Sequence, residues 1–176
     1  MVEPRSITFR PDRWLTDSRV YNLIWMGQWL ERADNIARVV NTFARMAVES
    51  GSDMLTLQQS LGNAAAIRGI SVDDPTRTLE LLLKQHQVSS IHHSLATARG
   101  NATHVGTVEL IRALSEAVLI LEDDNAMPQS PLDALLLTDL VLERLGTVYK
   151  VIDDNWFHQE ALSEEEIYRR FVQQQQ

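Results

Sequence analysis

The sequence predicts an all-α protein, an antiparallel helical bundle of about five or six helices built around one long N-terminal helix. The stretch from Ser18 to Ser50 contains no Pro and only one Gly, and its apolar residues recur at helical spacing. Several later segments begin with a Ser, Thr or Asp that can cap a helix. The connections between them are short, which favours antiparallel neighbours, so we expect a single domain over residues 1–176.

The long predicted helix has an apolar side and a polar side. It would span about 50 Å and must therefore lie along several partner helices. Asp17 or Ser18 can cap its start, and Gly51 can take the left-handed conformation that ends it. The apolar side holds Trp25, Met26, Trp29, Leu30, Ala33, Ile36, Ala37, Val40, Phe43, Ala44 and Ala47, and the polar side holds Glu31, Asp34, Asn35, Arg38, Arg45 and Glu49.

The segments that flank the long helix are shorter. Residues 1–16 read as an extended N-terminal arm, because the run before Pro11 is disfavoured in a helix. After the long helix, Asp53 can cap a short segment through Leu61, and a second short segment runs from Ala64 to Arg68. The pair Asp74-Pro75 is a strong start signal for the next helix.

The segment from Ser89 to His104 is predicted to be a closely packed helix, because small residues interrupt its apolar stripe. Three further helices follow by their caps, starting at Thr107, at Ser130-Pro131 and at the capping box Ser163 to Glu166. Residues 172–176 read as a frayed tail. The apolar stripe of the Ser89–His104 segment consists of Ile91, Leu95, Ala98 and Ala102, and beside it lies a more polar stripe of His92, Ala96, Arg99 and Thr103.

Composition excludes several classes of function. The chain has no Cys, which excludes disulfides and thiolate metal ligands. Its net charge of −8 disfavours nucleic-acid binding. No apolar run is long enough to cross a membrane and the N-terminus lacks the apolar core of a signal peptide, so we expect a cytoplasmic protein with no membrane contact.

The familiar catalytic and cofactor motifs are also missing. No Glu is followed three residues later by His, and no two His lie four apart on a helix, so we expect no metal site. No glycine-rich phosphate loop and no nucleophile elbow are present. We therefore expect no cofactor in this chain.

The candidate site is the polar face of the long helix. Glu31, Asn35 and Arg38 lie on one stripe, and Arg32 lies about 100° away, near the border with the apolar side. One interpretation is a solvated face with pairing within the helix. The other is that Glu31 and Arg32 point between helices and meet Arg99 or His92, forming a buried polar network or a pocket for a carboxylate-bearing ligand.

Histidines and tryptophans outside that face receive structural interpretations. His86, His93 and His158 are expected at the surface or at helix ends, whereas His92 is the histidine worth testing as part of the site. Trp25 and Trp29 lie four residues apart on the apolar side and are expected in the core.

Two runs resemble the motifs of the bacterial alpha-E domain family, an all-helical group named for a Glu-Arg pair that matches Glu31-Arg32. The first resemblance covers Leu30, Glu31, Arg32, Ala33, Asn35, Ala37 and Arg38, and the second covers Ser90, Ile91, Ser94, Leu95, Ala98, Arg99, Asn101 and Ala102. The chain departs from the family pattern at His92, Gly100 and Thr103, which weakens an anion-binding role for that face. The length is that of a compact or half-length member, which favours a homo-oligomer.

The resemblance implies a context rather than a reaction. Alpha-E domains occur beside circularly permuted ATP-grasp ligases and transglutaminase-like proteins. By analogy this chain would be an accessory or binding subunit of an ATP-grasp-type amide ligase, positioning an amino-acid or peptide substrate while ATP binds only to the partner ligase.

Two other interpretations stay open at this point. The chain could be a non-catalytic, self-associating interaction module whose Glu-Arg motif is structural, which predicts an exposed apolar patch and no pocket. It could also be an enzyme in its own right, with Glu31 as acid or base and Arg32, Arg38 or Arg99 holding a carboxylate. The ligase interpretation instead predicts a pocket between the long helix and the Ser89–His104 segment.

Overall fold

The computed structural model describes residues 11–84 and 90–157 together with Arg169 and Val172. Within these residues the chain forms six α-helices and no strand, which confirms the all-α prediction. The helices are α1 (Pro11–Ser50), α2 (Met54–Ile67), α3 (Thr78–Leu83), α4 (Ile91–Val105), α5 (Val108–Glu122) and α6 (Pro131–Ile152). Short 3₁₀ turns cover Pro75–Arg77 and Asp124–Ala126, and a π-helical turn covers Asp153–Phe157.

Four helices form the body of the bundle. α1 packs along α4 and α6, and α5 packs against the same two helices from the opposite side. α2 and α3 pack together beside this bundle, with α2 also against α1. The core is filled mainly by leucines and alanines, and the alanines let α1 and α4 approach closely. The completely buried alanines are Ala33, Ala37, Ala44, Ala98 and Ala102.

Contacts between side chains give the direction of the neighbouring helices. Asn41 in α1 donates a hydrogen bond from Nδ2 to Oγ1 of Thr138 in α6 (3.0 Å), whereas the charge of Asp34 acts on Tyr149 further along α6. α1 and α6 are therefore antiparallel. α5 and α6 are antiparallel as well, because Nδ2 of Asn155, just beyond α6, donates to Oγ1 of Thr107 (2.8 Å), the cap at the start of α5.

The caps predicted at Thr107, Ser130, Asp53 and Asp74 lie at the starts of helical segments. Ser90, which was not predicted as a cap, starts α4. The start predicted at Asp17 or Ser18 is wrong, because α1 begins at Pro11. Oγ of Ser90, Oγ1 of Thr107 and Oγ of Ser130 accept hydrogen bonds from backbone N–H groups in the first turns of α4, α5 and α6. Asp53 and Asp74 do the same with carboxylate oxygens at the starts of α2 and of the Pro75–Arg77 turn. Gly51 has a φ of 68°, the left-handed conformation predicted at the end of α1.

Two predicted boundaries were wrong. α1 begins at Pro11, so residues 11–16 are helical rather than part of an extended arm; proline lacks an N–H but fits the first turn, where that N–H would have no helical partner. The two short segments after Asp53 are one helix, α2, which continues through Gly62 because a single glycine weakens a helix without breaking it. The α-helix α6 ends at Ile152, and the π-helical turn Asp153–Phe157 follows it.

Trp25 is a further correction. Its side chain is 37% exposed and packs edge-on against Tyr21, with ring centroids 6.1 Å apart, so it is not a core residue. Val20, Tyr21 and Ile24 are exposed too, whereas Met26, the residue after Trp25, is 2% exposed, so Trp25 lies at the edge of the buried side of α1.

Some predictions concern residues outside those that the structure describes. They are the remainder of the N-terminal arm at 1–10, His86, His158, the capping box at 163–166 and all of the tail at 172–176 except Val172. In the described part of the chain, no helix combines the length and the apolar character that a membrane crossing requires.

Candidate functional site

The Glu-Arg pair lies on the outer surface of α1. Glu31 and Arg32 are both exposed, while Leu30 and Ala33 on either side of them are completely buried. This alternation follows from the helical period, since consecutive residues point about 100° apart. Asn35 and Arg38 are also exposed. These side chains therefore form a surface rather than the buried polar network that was the second interpretation.

Arg32 is held in place by an aromatic pair that joins α1 to α4. The guanidinium carbon lies 4.7 Å from the ring centroid of Trp29, a cation–π contact. Trp29 is partly buried and meets the ring of His93 edge-to-face, with centroids 5.4 Å apart. His93 in turn lies within reach of Thr97, whose Oγ1 is 3.5 Å from Nε2. We call Trp29, Glu31, Arg32 and His93 the ER surface.

The two sequence motifs therefore contact each other, but through other residues than the expected His92 and Arg99. Arg32 reaches α4 through Trp29 and His93, one position along from the predicted His92. His93 is partly buried against Trp29 rather than a simple surface histidine. Trp29 packs against the core as predicted. Its ring also contacts His93 of α4 and Arg32 of α1.

His92 and Arg99 belong to other surroundings of α4. His92 is buried, and its Nε2 lies 3.3 Å from Oε1 of Glu122 at the end of α5, which makes it a link between α4 and α5. Arg99 is partly buried, two helical turns further along α4. The structure thus places His92 beside Glu122, whereas the ring that meets Trp29 is that of His93.

The other side of the Glu-Arg pair faces α6. Nε of Arg38 donates to Oδ2 of Asp34 (2.8 Å), and this hydrogen bond, with the Asp34 charge, raises the pKa of Arg38. Burial raises the pKa of Tyr149 in α6, and the nearby charges of Asp34 and Glu31 raise it further. Arg38 thus pairs with Asp34 and not with Glu31 and Asn35, the partners expected from spacing.

Sequence reasoning did not assign Asp34, Tyr149 or His93 to the candidate site. The Asp34–Arg38 pair has the four-residue spacing of helical ion pairs and was visible in the sequence. Tyr149 and His93 had no such signal, because their closeness to α1 depends on how α6 and α4 dock.

The described cavities do not lie at the ER surface. A cavity of about 620 Å³ lies between α2, α3 and the connection from α5 to α6, and one of about 230 Å³ lies between the end of α1 and α2. Neither is at the predicted place between α1 and α4. In the part of the chain that the structure describes, no three His, Asp or Glu side chains converge to hold a metal ion.

Comparison with known proteins identifies one family. The family model named Alpha-E, described as a predicted alpha-helical domain with a conserved ER motif, matches residues 18–163. The matched range contains Glu31-Arg32, the pair on which the resemblance in the sequence rests, and a second Glu-Arg pair at Glu143-Arg144. No curated protein and no solved structure matches the chain.

Proposed function

This chain belongs to the Alpha-E family, and from that premise we propose that it is an accessory subunit of an ATP-grasp-type amide ligase. In this role it binds the ligase through the ER surface and helps to position an amino-acid or peptide substrate. The partner binds ATP and performs the chemistry. The association with ATP-grasp ligases comes from the family resemblance, and the choice of surface comes from the geometry.

The observation that carries the choice of surface is the stacked, exposed Arg32. A guanidinium packed by its face on Trp29 keeps its N–H edge available for a carboxylate. Because Trp29 is itself held by His93, the cation is already oriented before a partner arrives. Glu31 beside it adds an acceptor, so the surface offers both charges to a complementary partner.

The test is recovery of the tagged protein from its own cells, with Arg32→Ala and Arg112→Ala as matched variants. Arg112 is an exposed arginine on α5, away from the ER surface. We expect an ATP-grasp protein to be recovered with the wild type and with Arg112→Ala, and at least tenfold less with Arg32→Ala. Glu31→Ala should likewise lower the activity of the ligase complex while the isolated chain stays folded.

Two results would count against this proposal. Recovery of no ATP-grasp protein would remove the accessory-subunit function. Equal recovery with Arg32→Ala and Arg112→Ala would remove the ER surface as the place of contact.

A second candidate function, a self-associating interaction module, is favoured by a different surface. Leu132, Leu136 and Leu140 follow one another every four residues on α6, and their side chains are 50%, 58% and 38% exposed. Such a row of exposed leucines is typical of a helix that packs against another chain. Light scattering should then show a dimer for the wild type and a monomer for Leu136→Glu; a wild-type monomer would exclude this candidate.

A further inference from the structure

The largest of the described cavities is separate from the ER surface and has the size of a small-molecule site. Its volume of about 620 Å³ lies within the range of roughly 300–1,000 Å³ that is usual for ligand pockets. It opens between α2, α3 and the residues that join α5 to α6. Leu79, Met54 and Met127 supply an apolar wall, and Gln58, Glu80, Lys84 and Asp124 supply polar groups.

Lys84 is the group that defines the chemistry of the cavity. It follows the last residue of α3, and its side chain is only 11% exposed. Its ammonium donates a hydrogen bond to the backbone carbonyl of Asp123 and lies 3.9 Å from the carboxylate of Asp124. An ammonium has three N–H donors, so Lys84 can still donate to a carboxylate that enters the cavity.

Acceptors for an amine lie in the same wall. Glu80 is one helical turn before Lys84, and its Oε2 is 3.1 Å from Nε of Arg77. That contact orients the carboxylate, whose remaining lone pairs can accept from a ligand ammonium. Oε1 of Gln58 accepts a hydrogen bond from the backbone N–H of Leu79 (3.2 Å), which anchors the amide of Gln58 between α2 and α3.

From this arrangement we infer that the cavity binds a small zwitterion, namely an α-amino acid or a short peptide. Lys84 receives the ligand carboxylate, Glu80 and Asp124 receive its ammonium, and the wall of Leu79 and Met127 packs against its apolar part. A cavity with both signs of charge favours a ligand that carries both, because a ligand lacking either charge makes fewer charge-assisted hydrogen bonds with the site.

This inference deepens the proposed function and rests on it for its biological meaning, since it gives the substrate class and places the substrate apart from the ER surface. The binding event itself needs no ligase. It can therefore be measured on the isolated chain.

The first experiment titrates the ¹⁵N-labelled chain with three matched probes and follows the backbone amide signals. The probes are alanylalanine, its N-acetyl derivative and its C-terminal amide. We expect alanylalanine to shift the amides of Gln58, Leu79, Glu80 and Gln129 saturably, and the two blocked probes to bind at least tenfold more weakly. No saturable shift at these amides, or equal shifts with all three probes, would overturn the inference.

The second experiment compares Lys84→Met with Lys150→Met. Methionine keeps much of the apolar length of lysine and removes the charge, and Lys150 is an exposed lysine on α6. We expect Lys84→Met to weaken alanylalanine binding at least tenfold and Lys150→Met to leave it unchanged, while equal affinities for the two folded variants would overturn the role of Lys84. Should Lys84→Met fail to fold, the three wild-type titrations still decide whether the cavity binds zwitterions.

The two proposals fail in different experiments. Saturable binding of alanylalanine without recovery of an ATP-grasp protein keeps the zwitterion site and removes the ligase partner. Recovery of an ATP-grasp protein that depends on Arg32, without any binding of alanylalanine, keeps the ligase partner and removes the zwitterion site.

Discussion

The pair α1–α4 and the pair α2–α3 are built in opposite ways. α1 and α4 pack along one another with completely buried small and apolar residues, among them Ala37, Leu95 and Ala98. α2 and α3 are shorter, and the largest of the described cavities lies beside them. The first pair thus holds the fold together with dense packing, whereas the second leaves room for a ligand.

The two pairs also differ in how their helices begin. The bundle helices α4, α5 and α6 are capped by the hydroxyl groups of Ser90, Thr107 and Ser130, which do not titrate. α2 and the turn before α3 are capped by the carboxylates of Asp53 and Asp74. The caps on the α2–α3 side therefore titrate in acid, whereas the caps of α4, α5 and α6 do not.

The largest effect should come from removing buried side-chain atoms from the densely packed α1–α4 pair. Leu95 is completely buried in α4, so Leu95→Ala should lower the free energy of unfolding by about 2–5 kcal/mol. Leu55 in α2 is 49% exposed, so Leu55→Ala should change the free energy of unfolding by less than about 0.5 kcal/mol. Urea unfolding followed by circular dichroism measures both. Similar losses for the two variants would contradict the contrast between the sides.

A smaller effect, with opposite signs on the two sides, should come from adding atoms. Ala98→Leu overfills the completely buried space around α4 and should cost about 1–3 kcal/mol. Gly62→Ala in α2 should instead stabilise by up to about 1 kcal/mol, because a methyl group there meets only Oγ1 of Thr78 at 3.5 Å and the glycine is inside a helix. Thermal unfolding of both variants checks the signs, and a stabilised Ala98→Leu would show that the α4 side is not densely packed.

The smallest effect should be the response to acid. Hydrogen bonds from the Thr56 side chain and backbone lower the pKa of Asp53 below its ordinary value of 3.8, and Thr76 does the same to Asp74. A carboxyl whose pKa is lower in the folded state stabilises it above the ordinary pKa, and this stabilisation is lost as pH falls through the folded pKa. We therefore expect the amide protection factors, which correct exchange for the intrinsic effect of pH, to fall first in α2 as the pH drops below about 4.

Asp53→Asn provides the control for the acid response. Asparagine can cap a helix without titrating, so the amide protection factors in α2 of this variant should lose their dependence on pH in that range. If α4 opened before α2 in the wild type, the assignment of acid sensitivity to the Asp caps would be wrong.

Much of the fold could be predicted because its signals are local. Thr107 and Ser130 start α5 and α6 as expected, since a cap accepts from an N–H only two or three residues away. The apolar spacing of α1 correctly predicted the complete burial of Leu30, Ala33 and Ala37. Trp25 was misassigned because it lies at the edge of the apolar side, about 100° from the buried Met26, where spacing alone does not decide burial.

The candidate site was predictable only in part. The exposure of Asn35 and Arg38 agrees with the polar face read from the sequence, and Glu31-Arg32 lies within the range that the family model matches. The partners of that face were not predicted, because Trp29 meets His93 and the α1 carboxylates act on Tyr149 only through the docking of α4 and α6.

The sequence by itself therefore determined the helices, most of their ends, the buried side of α1 and the family. Each of these depends on residues a few positions apart, whose geometry the backbone hydrogen bonds of a helix already set. Only the tertiary structure decided that Arg32 stacks on Trp29 against α4, and that Lys84 lies beside Asp124 in a cavity. Those contacts join residues far apart in the chain, and they exist because the packing of whole helices brings them together.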